Sequence, residues 1–229
     1  MITKNIISLG GGGFSMESEN PALDLYILSQ ARRKHPKVCF LPTASGDAAG
    51  YIEKFYNSFR DHDCTPVHLS LFSPPVGDLQ NFILDCDVIY VGGGNTRNML
   101  VLWKEWGLDR FLRAAWEQGV VLCGISAGAI CWFEQGQTDS NPGTLSRLDC
   151  LGFLPGSCSP HFDGEPERRP DFLRKIQSGE MKTGYGIDDS VGLHFVDLEL
   201  RRIVRSKPGP KAYFIEGSDQ VKTLDPIDL

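Results

Sequence analysis

The strongest constraint on the fold is a regular alternation, over the first half of the chain, of short apolar runs with longer amphipathic segments. The apolar runs are rich in β-branched residues and predict five strands: Ile6 to Leu9, Val38 to Leu41, Val67 to Leu71, Val88 to Val91 and Val120 to Cys123. Helices are predicted between them: Pro21 to Lys34, Ala49 to His62, Gly77 to Leu84, Thr96 to Trp103 and Leu108 to Gln118. This order predicts a three-layer α/β fold in which helices cover both faces of a mostly parallel sheet.

The second half of the chain has a different texture. Residues from Gln135 to about Arg169 are rich in Gly, Pro, Ser and Asp, which predicts a long loop. A helix is predicted from Pro170 to Ser178. Closing strands are predicted at Gly184 to Ile187, Val191 to Phe195, Arg202 to Val204 and Ala212 to Ile215. The 229 residues are expected to form one catalytic domain, residues 1–229.

Composition excludes several classes of partner. The net charge is −6 and no Lys/Arg block is present, so nucleic acid is not an expected partner. No membrane contact is expected either, because no apolar run reaches about 18 residues, and the glycines Gly10–Gly13 come too early for a signal peptide. Seven cysteines without a Cys-x-x-Cys pair predict reduced thiols and no zinc site. We therefore expect a cytoplasmic protein.

The segment Gly124 to Ala129 sets Ser126 between two glycines where a strand should turn into a helix. This is the pattern of a nucleophile elbow, in which small neighbours allow a sharp turn that exposes the serine hydroxyl. The N–H of Ala127 would open the helix and help to hold an oxyanion. A tight strand-to-helix turn with a capping serine is the structural alternative.

A reactive serine needs a base and an acid. Among five histidines, only His161 lies in the loop-rich stretch, where functional residues concentrate. The other four occur at predicted helix ends or in predicted strands: His35, His62, His68 and His194. Asp188 and Asp189 follow a predicted strand and point to opposite faces, so at most one of them should reach His161. The order serine, histidine, acid makes an α/β-hydrolase esterase a weaker fit.

Four motifs in the same order resemble the peptidase E family of aspartyl dipeptidases and the related cyanophycinases: Gly92 to Thr96, Gly124 to Ala129, Pro160 to Phe162 and Gly186 to Asp189. The resemblance implies a fold like the class I glutamine amidotransferase domain, which is flavodoxin-like. It also implies that Ser126 is the nucleophile and His161 the general base, with Asp189 as the acid. Gly94 would then supply the second oxyanion-hole amide beside Ala127. The family usually has Glu at the position of Asp189, and Asp188 stays an alternative.

The resemblance also implies substrate contacts. Asp139 corresponds to an aspartate expected to bind the free amine of the substrate, or is a solvated loop acid, and Asn95 is a further substrate-binding candidate. In the aspartyl dipeptidases an arginine that follows a Gly-Glu-x run meets the substrate carboxylate. Here Glu167 stands at that position, followed by Arg168 and Arg169. Arg168, the first candidate, or Arg169 could take over that role by a small loop shift, whereas Glu167 would repel a carboxylate.

With this resemblance, these observations predict a serine peptidase that uses no metal or cofactor and hydrolyses short peptides. A preference for N-terminal Asp is implied by the resemblance alone, and Glu167 at the position of the expected arginine argues against it. The enzyme would be a monomer or a homodimer. The alternative is a catalytically silent ligand-binding module on the same fold. Dinucleotide binding at Gly10–Gly13 is disfavoured because the second strand ends in Leu41-Pro42-Thr43 and lacks the acidic residue of that fingerprint.

Overall fold

The computed structural model describes residues 2–73, 77–217 and 220–229. Strands and helices alternate from β1 to α7: β1 Asn5–Leu9, α1 Gly13–Met16, α2 Ala22–Ser29, β2 Lys37–Leu41, α3 Ala49–Phe59, β3 Thr65–His68, α4 Leu79–Leu84, β4 Val88–Val91, α5 Thr96–Trp106, α6 Leu108–Glu117, β5 Val121–Ile125 and α7 Ala127–Ile130. Strands dominate thereafter: β6 Phe133–Asn141, β7 Thr144–Asp149, β8 Leu154–Ser159, α8 Arg168–Gln177, β9 Gly184–Ile187, β10 Val191–Val196, β11 Glu199–Arg205, β12 Ala212–Gly217, β13 Gln220–Leu224 and β14 Ile227–Asp228.

The main sheet has eight strands in the order β14-β11-β10-β1-β5-β4-β2-β3. Strands β1 to β5 run parallel, and β10 adds antiparallel to β1. Successive side chains point to opposite faces of a strand, so each face needs its own cover. Ile7 and Phe40 pack with residues of α1 to α3, whereas Ile6 and Leu41 pack with residues of α5 and α6. The predicted three-layer α/β architecture is therefore confirmed.

The predicted loop from Gln135 to about Arg169 is wrong, because this segment contributes β6, β7 and β8 to a second sheet. The second sheet has six strands in the order β13-β12-β9-β8-β6-β7. After the buried Phe133, strand β6 carries two buried glutamines, Gln135 and Gln137. The Gln137 side chain donates to the Arg168 carbonyl oxygen over 3.1 Å, and the Gln135 side chain accepts from the Lys182 N–H over 2.8 Å. Partners distant in sequence thus satisfy a strand that has a loop-like composition.

Smaller differences concern where elements end. Helix α2 stops at Ser29, and β3 covers Thr65–His68 rather than Val67 to Leu71. The helix expected at Pro170 begins two residues earlier, at Arg168. In the described part of the chain, no helix has the length and apolar composition required to cross a membrane.

A buried carboxyl group lies beneath the glycine run, at Asp24 in α2. Asp24 is 2 % exposed, and burial raises its pKa from 3.8 to about 7. Between about pH 4 and pH 7 the folded state therefore keeps a proton that the unfolded chain releases, so the free energy of unfolding falls as pH rises through this window.

Replacing Asp24 with asparagine should remove this pH-dependent cost. Relative to the parent protein, the free energy of unfolding of Asp24→Asn is expected to be higher at about pH 8 than at about pH 5 by up to about 3 kcal/mol. Urea unfolding at the two pH values measures this difference, with the exposed Asp61→Asn as the control. An equal effect of Asp24→Asn at both pH values would contradict the assignment.

Candidate active site

The turn after β5 has the backbone of a nucleophile elbow. Ser126 adopts φ 57° and ψ −111°, a sparsely populated conformation for a residue with a side chain. Its two glycine neighbours have no room for a Cβ atom. Such an atom would lie 2.4 Å from the Gly128 carbonyl oxygen if built on Gly124, and 2.2 Å from the Val91 carbonyl oxygen if built on Gly128. The glycines therefore allow the close packing of β5, α7 and β4 that holds the serine in place.

The loop after β4 lies directly against the serine. A Cβ atom on Gly93 would be 3.3 Å from Ser126 Cβ, so the two residues are in contact. Gly94 adopts φ 135°, and within the described ranges its N–H donates to no protein acceptor. Ala127 begins α7, where the first N–H groups have no partner inside the helix. The residue after Gly93 and the residue after Ser126 thus each carry a backbone N–H that could serve as a donor.

His161 and Asp189 are hydrogen-bonded to each other beside this turn. His161 Nδ1 lies 2.7 Å from Asp189 Oδ1, and the two side chains are 15 % and 23 % exposed. Adjacent backbone carbonyls tie them to the serine, because Leu9 accepts from the Ser126 N–H and Gly10 accepts from the His161 N–H. Across the described ranges, no hydrogen bond joins Ser126 Oγ to the His161 ring.

Asp188 points away from His161. Its carboxylate accepts a 2.8 Å hydrogen bond from the Lys211 N–H, and its pKa is raised to about 6, chiefly by burial. His194 is also remote from the serine: its ring lies between the Tyr26 hydroxyl at 2.7 Å and the Asn5 side chain at 3.0 Å. Burial, with a smaller contribution from nearby Arg202, lowers the pKa of His194 to about 4 and keeps the ring neutral.

Sequence reasoning missed the residues that support the acid. Asp189 fits between two glycines: a Cβ atom would lie 2.0 Å from its carboxylate if built on Gly11 and 2.7 Å if built on Gly164. The Asp189 N–H donates to Asp163 Oδ1 over 2.8 Å. The glycine run thus packs against the protein's own carboxylate, which leaves no cradle for a dinucleotide phosphate at Gly11. The signal available in the sequence was the pair of consecutive glycines, Gly10 and Gly11, directly after the end of β1.

Of the two predicted substrate residues, Asp139 lines a pocket whose wall also includes Gly164, the glycine packed against Asp189, whereas Asn95 lies outside that lining. Asn95 caps α5 through Asn98, and its side-chain amide also donates to the Ser140 carbonyl oxygen over 3.1 Å. Asp139 is exposed and lines a pocket of about 460 Å³. The remaining lining residues are Gly143, Thr144, Leu145, Gly164, Glu165, Pro166 and Glu167.

Arg168 is buried beneath this pocket rather than exposed in it. Its side chain is 3 % exposed, and its Nε donates to Glu165 over 2.6 Å. A second guanidinium nitrogen lies 3.8 Å from Asp139. Arg169 is exposed and stacks on the Tyr213 ring, with 4.7 Å between the guanidinium carbon and the ring centroid.

Considering residues 2–73, 77–217 and 220–229 together, no group of three or more His, Cys, Asp or Glu side chains is arranged to hold a metal ion. The seven cysteine thiols are free. Cys123, for example, is buried in β5, and burial raises the pKa of its thiol well above the usual value.

The family model described as Peptidase family S51 matches residues 6–203. The chain belongs to peptidase family S51. An uncharacterized peptidase, YgaJ, of Bacillus subtilis (strain 168) is 59% identical over 210 residues, which cover 92% of this chain and 91% of the relative. Peptidase E of Citrobacter koseri is 36% identical over 89 residues, which cover 38% of this chain and 39% of the relative. The S51 chain is therefore a serine-type peptidase.

Two solved structures share the fold of this S51 peptidase. A putative peptidase E from Listeria monocytogenes EGD-e superposes with a TM-score of 0.66 at 20% identity, covering 90% of this chain and 100% of that one. A peptidase from an acI-B1 Actinobacterium gives a TM-score of 0.73 at 16% identity, covering 98% of this chain and 95% of that one. The predicted resemblance to peptidase E is confirmed at the level of family and fold.

Proposed function

We propose that this S51 peptidase hydrolyses short peptides that carry a free amino terminus, through an acyl-enzyme on Ser126. The observation that carries the proposal is the His161–Asp189 hydrogen bond at the edge of a strained serine turn. Asp189 fixes the ring so that Nδ1 carries a proton and Nε2 is free to act as a base. The partners of Asp188 support Asp189, rather than Asp188, as the third member.

In the proposed reaction, His161 Nε2 takes the proton from Ser126 Oγ while Oγ forms a bond to the carbonyl carbon of the scissile peptide. The N–H groups of Gly94 and Ala127 stabilise the oxyanion that develops. Collapse of this intermediate breaks the C–N bond, and His161 returns the proton to the leaving amine. A water molecule then cleaves the ester by the same route. The Ser126–His161 contact is one that tightens when substrate is bound.

Asp139 is proposed to bind the substrate amine, with Asn95 fixing the wall of the pocket on which Asp139 lies. Both residues lie near Ser140, whose carbonyl oxygen accepts from Asn95. The proposed amine contact limits cleavage to the N-terminal end of a short peptide, which favours dipeptidase or aminopeptidase activity. The family preference for N-terminal Asp is less well supported, because the guanidinium of Arg168 already has acidic partners.

The cellular compartment and the oligomeric state of the enzyme are also part of this proposal. The seven cysteines are free, which supports a reducing compartment such as the cytoplasm. The proposed unit is a single catalytic domain that acts as a monomer or homodimer, with no cofactor.

Hydrolysis of a panel of dipeptides and tripeptides with varied N-terminal residues tests the proposed function. Cleavage should release the first residue, should require a free amine, and should be lost on N-acetylation of the substrate. Cleavage of acetylated peptides at the same rate would refute the amine contact. A folded protein that binds peptides and cleaves none of them would favour the alternative of a silent binding module, which the unformed Ser126–His161 contact also motivates.

A further inference from the structure

We propose that the pocket beside Ser126 selects peptides whose N-terminal residue carries a cationic side chain, Lys or Arg, and that Glu167 determines this selectivity. The inference rests on the proposed function and names its substrate class. It reverses the acidic preference that the family resemblance implies.

Hydrogen bonds connect the walls of the pocket to the reacting groups. On one side, Asn95 follows Gly94 and donates to Ser140, the neighbour of Asp139. On the other side, the Glu165 N–H donates to the His161 carbonyl oxygen over 3.0 Å. The pocket therefore lies between the proposed oxyanion loop and the proposed base. A substrate held at Ser126 would place its nearest side chain in this space.

The charges around the pocket are predominantly negative. Its lining includes the carboxylates of Asp139, Glu165 and Glu167, and it includes no Lys, Arg or His. Arg168 lies below this lining and neutralises only part of it, through Glu165 and Asp139. An acidic side chain would meet this excess negative charge without a free guanidinium to bind it. Such a substrate is therefore disfavoured.

Arg168 is also held too tightly to turn towards a substrate. A third contact joins its Nη1 to the Gln137 carbonyl oxygen over 3.2 Å, and Gln137 in turn donates to the Arg168 carbonyl oxygen. Withdrawing the guanidinium would leave the Glu165 carboxylate without its ion pair. Arg168 therefore acts as a structural counter-ion of the pocket.

Glu167 is the carboxylate available to a ligand. It is exposed at the start of α8, and among the described residues it forms no ion pair. Leu145 and Pro166 line the same pocket, which gives the methylene stem of a lysine or arginine an apolar surface. A cationic head group would then lie at Glu167, and the amine would lie at Asp139, whose ion pair with Arg168 is the longer of that arginine's two, at 3.8 Å. Because Glu167 is exposed, the expected selectivity is moderate.

Three dipeptides that share one second residue test the inference. Their N-terminal residues are lysine, norleucine, which has the lysine stem without the ammonium, and glutamate. With the parent enzyme, kcat/KM for the lysine dipeptide should exceed that for the norleucine dipeptide about fivefold, and glutamate should be the poorest. In Glu167→Gln the lysine-to-norleucine ratio should fall to about two or less. The ratio should also fall between about 50 mM and about 500 mM salt.

A ratio measured on one enzyme is insensitive to the fraction of protein that is folded, so partial unfolding of the variant cannot produce the result. Glu105→Gln, which removes an exposed carboxylate from α5, is the matched control and should keep the parent ratio. Serine-dependent cleavage with equal or better rates for norleucine or glutamate would overturn the inference and leave the proposed function standing. No cleavage of any of the three would overturn both.

Discussion

Ser126→Ala is expected to lower kcat/KM for peptide hydrolysis by roughly three to six powers of ten while leaving the protein folded. The loss is large because Oγ is the atom that forms the acyl bond, and water cannot replace it at the same geometry. The fold should survive because the described hydrogen bonds of Ser126 are made by its backbone, including the N–H to Leu9. Steady-state kinetics beside circular dichroism and thermal unfolding measures both effects.

A neighbouring serine supplies the control for Ser126→Ala. Ser8 is buried in β1 and donates to the Ala129 carbonyl oxygen over 3.3 Å, so it contacts the helix that follows the elbow. Ser8→Ala should therefore lower stability by about 1 kcal/mol and retain most of the activity. If Ser126→Ala kept activity comparable to that of Ser8→Ala, another residue would have to be the nucleophile.

Asp189→Asn is expected to lower kcat by roughly 10³- to 10⁴-fold, whereas Asp188→Asn should cost less than about tenfold. The asparagine is close in size to the carboxylate that fits between Gly11 and Gly164, so the pocket should keep its shape. It cannot, however, stabilise the imidazolium of His161 or reliably fix the ring tautomer. Asp188 faces the Lys211 N–H, and an asparagine oxygen can accept the same hydrogen bond.

The measurement compares kcat and KM of the two variants at one pH. The account requires the loss in Asp189→Asn to appear mainly in kcat, because the acid acts on the base rather than on substrate binding. A larger loss in Asp188→Asn than in Asp189→Asn would show that the acid is misassigned.

The main sheet was predictable because each of its central strands has an apolar pattern that is visible in its own short stretch of sequence. Each of β1, β2, β4 and β5 is buried on both faces, which requires a continuous apolar run. The elbow was predictable for a related reason. The packing of α7 against β4 and β5 excludes side chains at Gly124 and Gly128, and this requirement is visible as glycine in the sequence.

In the second sheet, β9 and β12 were predicted, whereas β6, β7 and β8 were not predictable from local pattern. Strand β6 contains buried Gln135 and Gln137, which are satisfied by the Lys182 N–H and by the carbonyl oxygen of Arg168. These partners lie tens of residues away, so no window of sequence contains the compensation that makes a polar segment a strand.

The state of Arg168 shows the same limit within the site. From the sequence alone, an arginine near a substrate cleft predicts a binding site for a carboxylate. The structure buries that cation beneath Glu165 and Asp139, and leaves Glu167 exposed above it. Which charge faces the substrate depends on how the start of α8 packs against β6, and composition alone does not determine that packing.

Labelling with a small fluorophosphonate tests the central claim most directly. The reagent forms a bond between phosphorus and an activated serine oxygen and releases fluoride, so mass spectrometry can locate the reacting residue. The account predicts one adduct per chain, on Ser126, absent from Ser126→Ala and formed much more slowly in His161→Ala because the base is missing. An adduct on another residue of an enzyme that hydrolyses peptides, or equal labelling of Ser126→Ala, would contradict it.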